Sequence, residues 1–98
     1  MIEGFRDDWL ADFYLHDARA RQIPADIEAR VFRKLQLIDD ATSGTDLRAP
    51  PSNHFEKLRG KLEGFWSIRV NDHWRLIFRW DDTSAKASDL YLDDHTYR

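Results

Sequence analysis

Phe65 to Trp80, FWSIRVNDHWRLIFRW, decides how this chain is read. Two runs within it alternate with period 2. In the first, Trp66, Ile68 and Val70 alternate with Phe65, Ser67 and Arg69. In the second, Trp74, Leu76, Phe78 and Trp80 alternate with Arg75, Ile77 and Arg79. Aromatic and β-branched residues in such alternation are the pattern of half-buried strands. Asn71 and Asp72 between them are turn residues. A two-residue loop would pair Val70 with His73 and put Arg75 on the core face. A three-residue loop, Asn71 to His73, pairs Val70 with Trp74, Ile68 with Leu76 and Trp66 with Phe78. All six apolar side chains then share one face, so this register is the expected one. It asks His73 to adopt a left-handed conformation, which His tolerates better than most residues.

In that register Arg69 lies opposite Arg75 on the other face, with Arg79 further along. Like charges facing each other across strands repel, so something anionic is expected between them. Acidic side chains of a neighbouring strand are one source; a phosphate ligand is the other.

The whole chain sets the bounds. Its 98 residues suit a single domain, 1–98, with one modest core that thirteen aromatic residues can fill. With no cysteine, a thiolate nucleophile and a Cys-ligated metal are excluded. No metal site and no cofactor are expected. No apolar run is long enough to span a membrane and no signal peptide is visible, so the expected setting is cytoplasmic, with no membrane partner. Net charge is −3. Residues 57–79, however, carry Lys57, Arg59, Lys61, Arg69, Arg75 and Arg79 against Glu63 and Asp72, a local +4 that leaves −7 on the rest. A basic patch on an acidic body fits an anionic ligand steered to one face, or a protein partner that covers the patch.

Outward from the hairpin, Met1 to Arg6 is a short strand candidate that needs an existing sheet edge to persist. Asp7 to Asp17 reads as a helix, with Leu10, Phe13 and Tyr14 at helical spacing and His16 on the surface. Pro24 to Ala41 reads as a second helix, with Pro24 at the first helical position. Its stripe is Ile27, Val31, Leu35 and Ile38, widened by Phe32 and Leu37. Glu28, Arg30, Arg33 and Lys34 form the other face, read as solvated or as able to contact RNA phosphates. Thr42 to Asn53 reads as a loop in which Gly44 ends the helix and Pro50-Pro51 makes an extended step. Ala87 to Leu92 reads as a third hairpin-linked strand, with Leu90 and Leu92 inward and Asp89, Tyr91 and Asp93 on the arginine side. The expected fold is α+β, in the order β-α-α-β-β-β. Two N-terminal helices pack on one face of a small antiparallel sheet. The other face presents Arg69, Arg75, Arg79, Tyr91 and the C-terminal Asp/His residues.

Three stretches carry a family resemblance. Asp46 to Glu56, DLRAPPSNHFE, resembles the DLRxPPGNRLE of the HigB toxins of the RelE superfamily. Leu58 to Trp80 is similar to that family's LKGxxxGxWSIRVNDQWRLxFRW, and DLYLDDH at 89–95 resembles its DVEIVDYH. The opening MIxxF strand and two helices also match, so the likeness covers nearly the whole chain. It implies a RelE-like fold and a toxin of a type II toxin–antitoxin system: a metal-independent, ribosome-dependent endoribonuclease that cleaves mRNA in the ribosomal A site. It also implies a partner, a HigA-type helix-turn-helix antitoxin, through which the complex binds operator DNA.

The chain departs from the pattern at several points. Ser52 and His54 stand where relatives often have Gly and Arg. In one alignment of the Asp-Tyr-His tail, Asp94 keeps the Asp while His95 and Thr96 replace Tyr and His. In the other, Asp93, Asp94 and His95 take the three places. Some relatives carry a catalytic His near Glu56, and here the nearest is His54. Metal-free RNA cleavage needs a base for the 2′-OH, cations for the phosphorane and an acid for the leaving 5′-O. Arg75 matches the family's WR arginine and is expected to hold the phosphate, supported by Arg69. His95 and His54 are the expected acid–base pair. Asp94 would orient His95 or meet a base edge, and Glu56 would stand in for His54. Arg79, Lys57, Arg59 and Lys61 complete the expected RNA-binding set. Two rival readings stay open: a ParE-type toxin that poisons gyrase, and a family member that has lost catalysis with its Tyr.

Overall fold

The computed structural model describes residues 1–94. Its helices are α1 (Asp8–His16), α2 (Glu28–Asp40) and the short α3 (Gly44–Leu47). Its strands are β1 (Glu56–Lys57), β2 (Trp66–Arg69), β3 (Arg75–Asp81) and β4 (Lys86–Asp93). They form one antiparallel sheet in the order β1-β2-β3-β4. The N-terminal segment lies along the free edge of β4 as two parallel bridges, Ile2 opposite Ala87 and Phe5 opposite Leu90. It uses the sheet edge, as expected, without becoming a full strand. The interruption coincides with a bulge in β4, where Asp89 is left-handed (φ 51°) and the β3–β4 register shifts between Ile77 and Arg79.

The hairpin has the expected register. Trp66 pairs with Phe78, Ile68 with Leu76 and Arg69 with Arg75, and the Val70 amide donates to the Trp74 carbonyl at 2.9 Å. The expected left-handed His73 is not found. Asn71 closes the turn instead: its Oδ1 accepts from the His73 and Trp74 amides, both at 2.8 Å. That Asx turn satisfies the backbone without a positive φ at His73.

Ile68, Leu76 and Phe78 are completely buried against Leu10, Val31, Leu35 and Ile38 of the two helices. The α2 stripe is thus the one read from the sequence, but its first turn differs. Ala25–Ile27 is a 3₁₀ turn preceded by Pro24, and the α-helix starts at Glu28. Phe32 does not widen the buried stripe; it is 36% exposed and leans on the rings of Phe13 and Tyr14.

The expected loop from Thr42 to Asn53 is structured. The amide and hydroxyl of Thr42 donate to Asp46, each at 2.9 Å, and α3 begins at Gly44. Gly44 therefore starts a helix where it was expected to end one. α2 stops at Asp40 with Ala41 extended. Pro51 opens a 3₁₀ turn, Pro51–Asn53, in place of a longer extended step. Leu47 and Asn53 are fully buried, and the Asn53 amide donates to the carbonyls of Leu47 (3.2 Å) and Ala49 (3.0 Å). A buried side chain thus supplies the bonds that a hydrophobic pattern cannot reveal.

The sheet's second face is not uniformly polar. Leu58, Phe65 and Ile77 form a buried satellite cluster, flanked by Leu62 and Tyr91. The 58–65 segment closes over the sheet here: Leu58 N–H donates to Phe65 O at 2.9 Å and Phe65 N–H to Leu62 O at 3.0 Å. Among the described residues, no helix is long and apolar enough to cross a membrane.

Candidate functional site

Residues paired across strands share a face, so the second face divides into rows. The first row is Arg69, Arg75 and Asp93 on three successive strands. The next is Glu56, Ser67, Ile77 and Tyr91. Arg79, opposite Ser88, lies beyond it. The middle row is closed: Ser67 and Ile77 are completely buried beneath the satellite cluster. It separates two groups of arginines.

At the open end, Arg69 and Arg75 sit one step in from the hydrogen-bonded Val70–Trp74 pair. That is the narrow kind of antiparallel pair, with Cα atoms about 4.5 Å apart. Arg75 Nη1 donates to the Asn71 carbonyl at 3.2 Å. Arg69 Nε is buried and, among the described residues, has no hydrogen-bond partner. Asp93 stands opposite Arg75 on β4, an acidic neighbour of the kind expected. A buried guanidinium N–H without an acceptor is costly, and an oxyanion at this place would satisfy it.

At the far end the cations are engaged. Arg6 makes a two-pronged contact with Asp89 (3.0 and 2.9 Å) while its guanidinium lies 3.8 Å from the Tyr91 ring centre. That bond holds the Asp89 carboxyl below its ordinary value. Burial pushes the Tyr91 phenol up, against the opposing pull of Arg6. The Arg79 guanidinium covers the Phe65 ring at 4.3 Å. A Cβ on Gly64 would come within 2.8 Å of Arg79 Nη1, so the loop and this arginine are fitted closely together.

Glu56 is exposed on β1 and shares the face of Ser67 and Arg69. Lys57 pairs with Trp66, whose side chain packs on the helix side, so Lys57 points to the opposite face from Arg75. Arg59 and Lys61 are exposed on the loop that covers the satellite cluster. His54 is exposed and left-handed (φ 46°), just after buried Asn53. Asp94 is exposed directly after β4. His95, the expected partner of Asp94, lies outside the described residues. Among those residues, no cluster of three or more His, Asp or Glu is placed to hold a metal ion.

Arg30, Arg33 and Lys34 belong to the α2 face expected to be solvated or to contact RNA phosphates. The structure brings them across from Arg69. Their i, i+3, i+4 spacing was visible, but nothing in it tells which way that face of the helix looks.

Residues 3–95 match the HigB-like toxin family, described as the RelE-like toxin of type II toxin-antitoxin system HigB. The chain is 52% identical over 97 residues to Toxin HigB-1 of Vibrio cholerae, covering 99% of this chain and all of that one. It is 35% identical over 63 residues to Endoribonuclease HigB of Proteus vulgaris, covering 64% of this chain and 67% of that one. Among solved structures, it resembles a chain of the YoeB–YefM toxin-antitoxin heterotetramer of Staphylococcus aureus. The TM-score is 0.59 at 21% identity, over 99% of this chain and 97% of that one. It also resembles a chain of the RelBE2 toxin-antitoxin complex of Mycobacterium tuberculosis, with a TM-score of 0.53 at 21% identity, over 97% and 96%. At those identities the structural likeness establishes the fold.

Proposed function

The chain belongs to the HigB-like family of RelE-like type II toxins, and on that premise we propose that it is a cytoplasmic, ribosome-dependent mRNA endonuclease. Its chemical step uses side chains alone, without a divalent ion. A HigA-type helix-turn-helix antitoxin neutralises it, and the complex binds operator DNA. The Proteus relative's name, an endoribonuclease, supports the activity. The observation that carries the reading is the Arg69–Arg75 pair, with Arg69 Nε buried and without an acceptor.

In this mechanism a base removes the 2′-OH proton and the 2′-oxygen attacks the adjacent phosphorus. The P–O5′ bond breaks, leaving a 2′,3′-cyclic phosphate, and an acid protonates the departing 5′-oxygen. Arg75 and Arg69 hold the charge that develops on the phosphorane. His95 and His54 are the acid–base pair, with Asp94 orienting His95 and Glu56 as the substitute base. Lys57, Arg59 and Lys61 meet the RNA backbone away from the reacting phosphate. Arg79, already engaged by Phe65, supports the loop.

The test is induction of the chain in growing cells, with primer extension along a reporter mRNA. Wild type should arrest growth and cut within translated frames. Arg75→Ala, His54→Ala and His95→Ala should lose both effects while staying folded. Three folded variants that remain fully toxic would overturn the nuclease reading in favour of the gyrase-directed one. A harmless wild type would overturn it in favour of a catalytically silent relative.

A further inference from the structure

A cleft of about 570 Å³ opens between α2 and the β2–β3 turn, around the edge of the sheet from Arg75. Arg30, Arg33 and Lys34 line one wall; Arg69, Asn71 and Ser52 line the other. Four cations converge there against a single acid, Asp72. Lys34 is not a loose surface lysine. Its ammonium donates to Asn53 Oδ1, and Asn53 is fully buried and pinned to two carbonyls. Burial, then the charges of Arg30 and Arg33, lower the Lys34 pKa. A low-dielectric concavity concentrates the field of such a group.

We propose that this cleft binds the phosphodiester backbone of single-stranded RNA through Arg30, Arg33 and Lys34, extending the path of a strand whose reacting phosphate lies at Arg75. The inference rests on the nuclease reading above and adds a second anchoring point to it. The two places are physically continuous, because Arg75 Nη1 is bonded to the carbonyl of Asn71, a residue of the cleft wall. Arg30 lies about one helical turn, roughly 5 Å, from Arg33 and Lys34, a spacing suited to successive phosphates. The chemistry of the walls favours nucleic acid over a protein partner. A protein interface needs a charge-poor centre, whereas here four cations, Arg30, Arg33, Lys34 and Arg69, stand in the lining beside Leu37 and Val70. Interfaces with nucleic acid are polar and strongly basic. The apolar surface that a protein partner would seek lies elsewhere, at Leu15 and Phe32.

The phosphodiester can come from messenger or from ribosomal RNA, and two probes separate them. One is a fluorescein-labelled RNA whose riboses are 2′-O-methylated, which removes the nucleophile and so measures binding apart from cleavage. The other is ribosomes stripped of mRNA, scored by co-sedimentation. The variants are Arg30→Gln with Arg33→Gln, both exposed positions on α2, and the charge-retaining pair Arg30→Lys with Arg33→Lys. Losing two contacts should reduce the slope of log affinity against log salt by about 1.4, at about 0.7 for each single-strand phosphate. The Lys pair should keep the slope. A reduced slope with the labelled RNA supports the proposal, whereas a change confined to ribosomes overturns it and assigns the cleft to ribosomal RNA. An unchanged slope with both probes overturns the proposal, as does a Lys pair that fails to keep it. Loss of antitoxin binding with both RNA slopes intact also overturns it and makes the cleft a protein dock. Because none of these measurements reads cleavage, a failed nuclease assignment and a failed cleft assignment are told apart.

Discussion

Two pairs of arginines approach the same sheet face and have different chemistry. Arg6 has an acceptor and a ring, Asp89 and Tyr91, and Arg79 lies over the Phe65 ring. Arg69 and Arg75 face each other in the narrow register, with one guanidinium N–H lacking an acceptor. Between them stands the row of Ser67 and Ile77, closed under the 58–65 loop. Residue type alone therefore does not tell which arginine the fold has already engaged. The difference is a buried guanidinium N–H, that of Arg69, still without an acceptor among the described residues.

The strongest way to break this comparison is to remove one arginine from each end. Arg75→Ala should slow mRNA cleavage by about 10²–10³-fold, the scale of a lost oxyanion donor. Its unfolding free energy should stay within about 0.5 kcal/mol of wild type in urea titration, as for most surface changes. A stability loss that explains the missing activity would erase the distinction.

Removing the wall between the two ends comes next. Ile77 is completely buried in the satellite cluster. Ile77→Ala should cost about 2–5 kcal/mol, transfer and cavity together, a large share of the stability of a small domain. Denaturant unfolding reads it directly. A loss well below that range would show that the loop collapses into the space.

Arg79→Ala should have the opposite profile to Arg75→Ala. The guanidinium over Phe65 is worth about 0.5–1 kcal/mol, and stability should fall by that amount while cleavage stays near wild type. Cleavage falling as far as in Arg75→Ala would place Arg79 in the same site and remove the contrast.

The smallest effect is a pH dependence. The Arg6 contact holds the Asp89 carboxyl below its ordinary value of 3.8. A carboxyl with a depressed folded-state pKa stabilises the fold fully above its unfolded value. That contribution fades as pH falls through the lower, folded one. Asp89→Asn, which tolerates the left-handed backbone there, should therefore flatten the acid limb of the stability curve below about pH 4. Both partners are well exposed, so screening keeps the effect small. An acid limb identical to wild type would show that the Arg6–Asp89 contact carries no stability.

Much of the molecule was decided by local pattern. The period-2 alternation through Trp66–Phe78 leaves one register that buries Ile68, Leu76 and Phe78 together, because a one-residue slip turns every side chain over. The same alternation puts Arg69 opposite Arg75, and the 3.6-residue stripe of Ile27, Val31, Leu35 and Ile38 fixes which face of α2 is buried. Other features needed contacts far apart in sequence. Asn71 closing the turn through its side chain, Asn53 fastening Lys34, and Leu58 with Phe65 sealing the middle of the second face have no periodic signature. Arg79 and Arg75 are indistinguishable as letters in one alternating run. Only the folded chain brings the Phe65 ring to one and the carbonyl of Asn71, at the edge of a cation-lined cleft, to the other. Electrostatic availability depends on neighbours in space, and the alternation that sets a strand's facing carries no information about them.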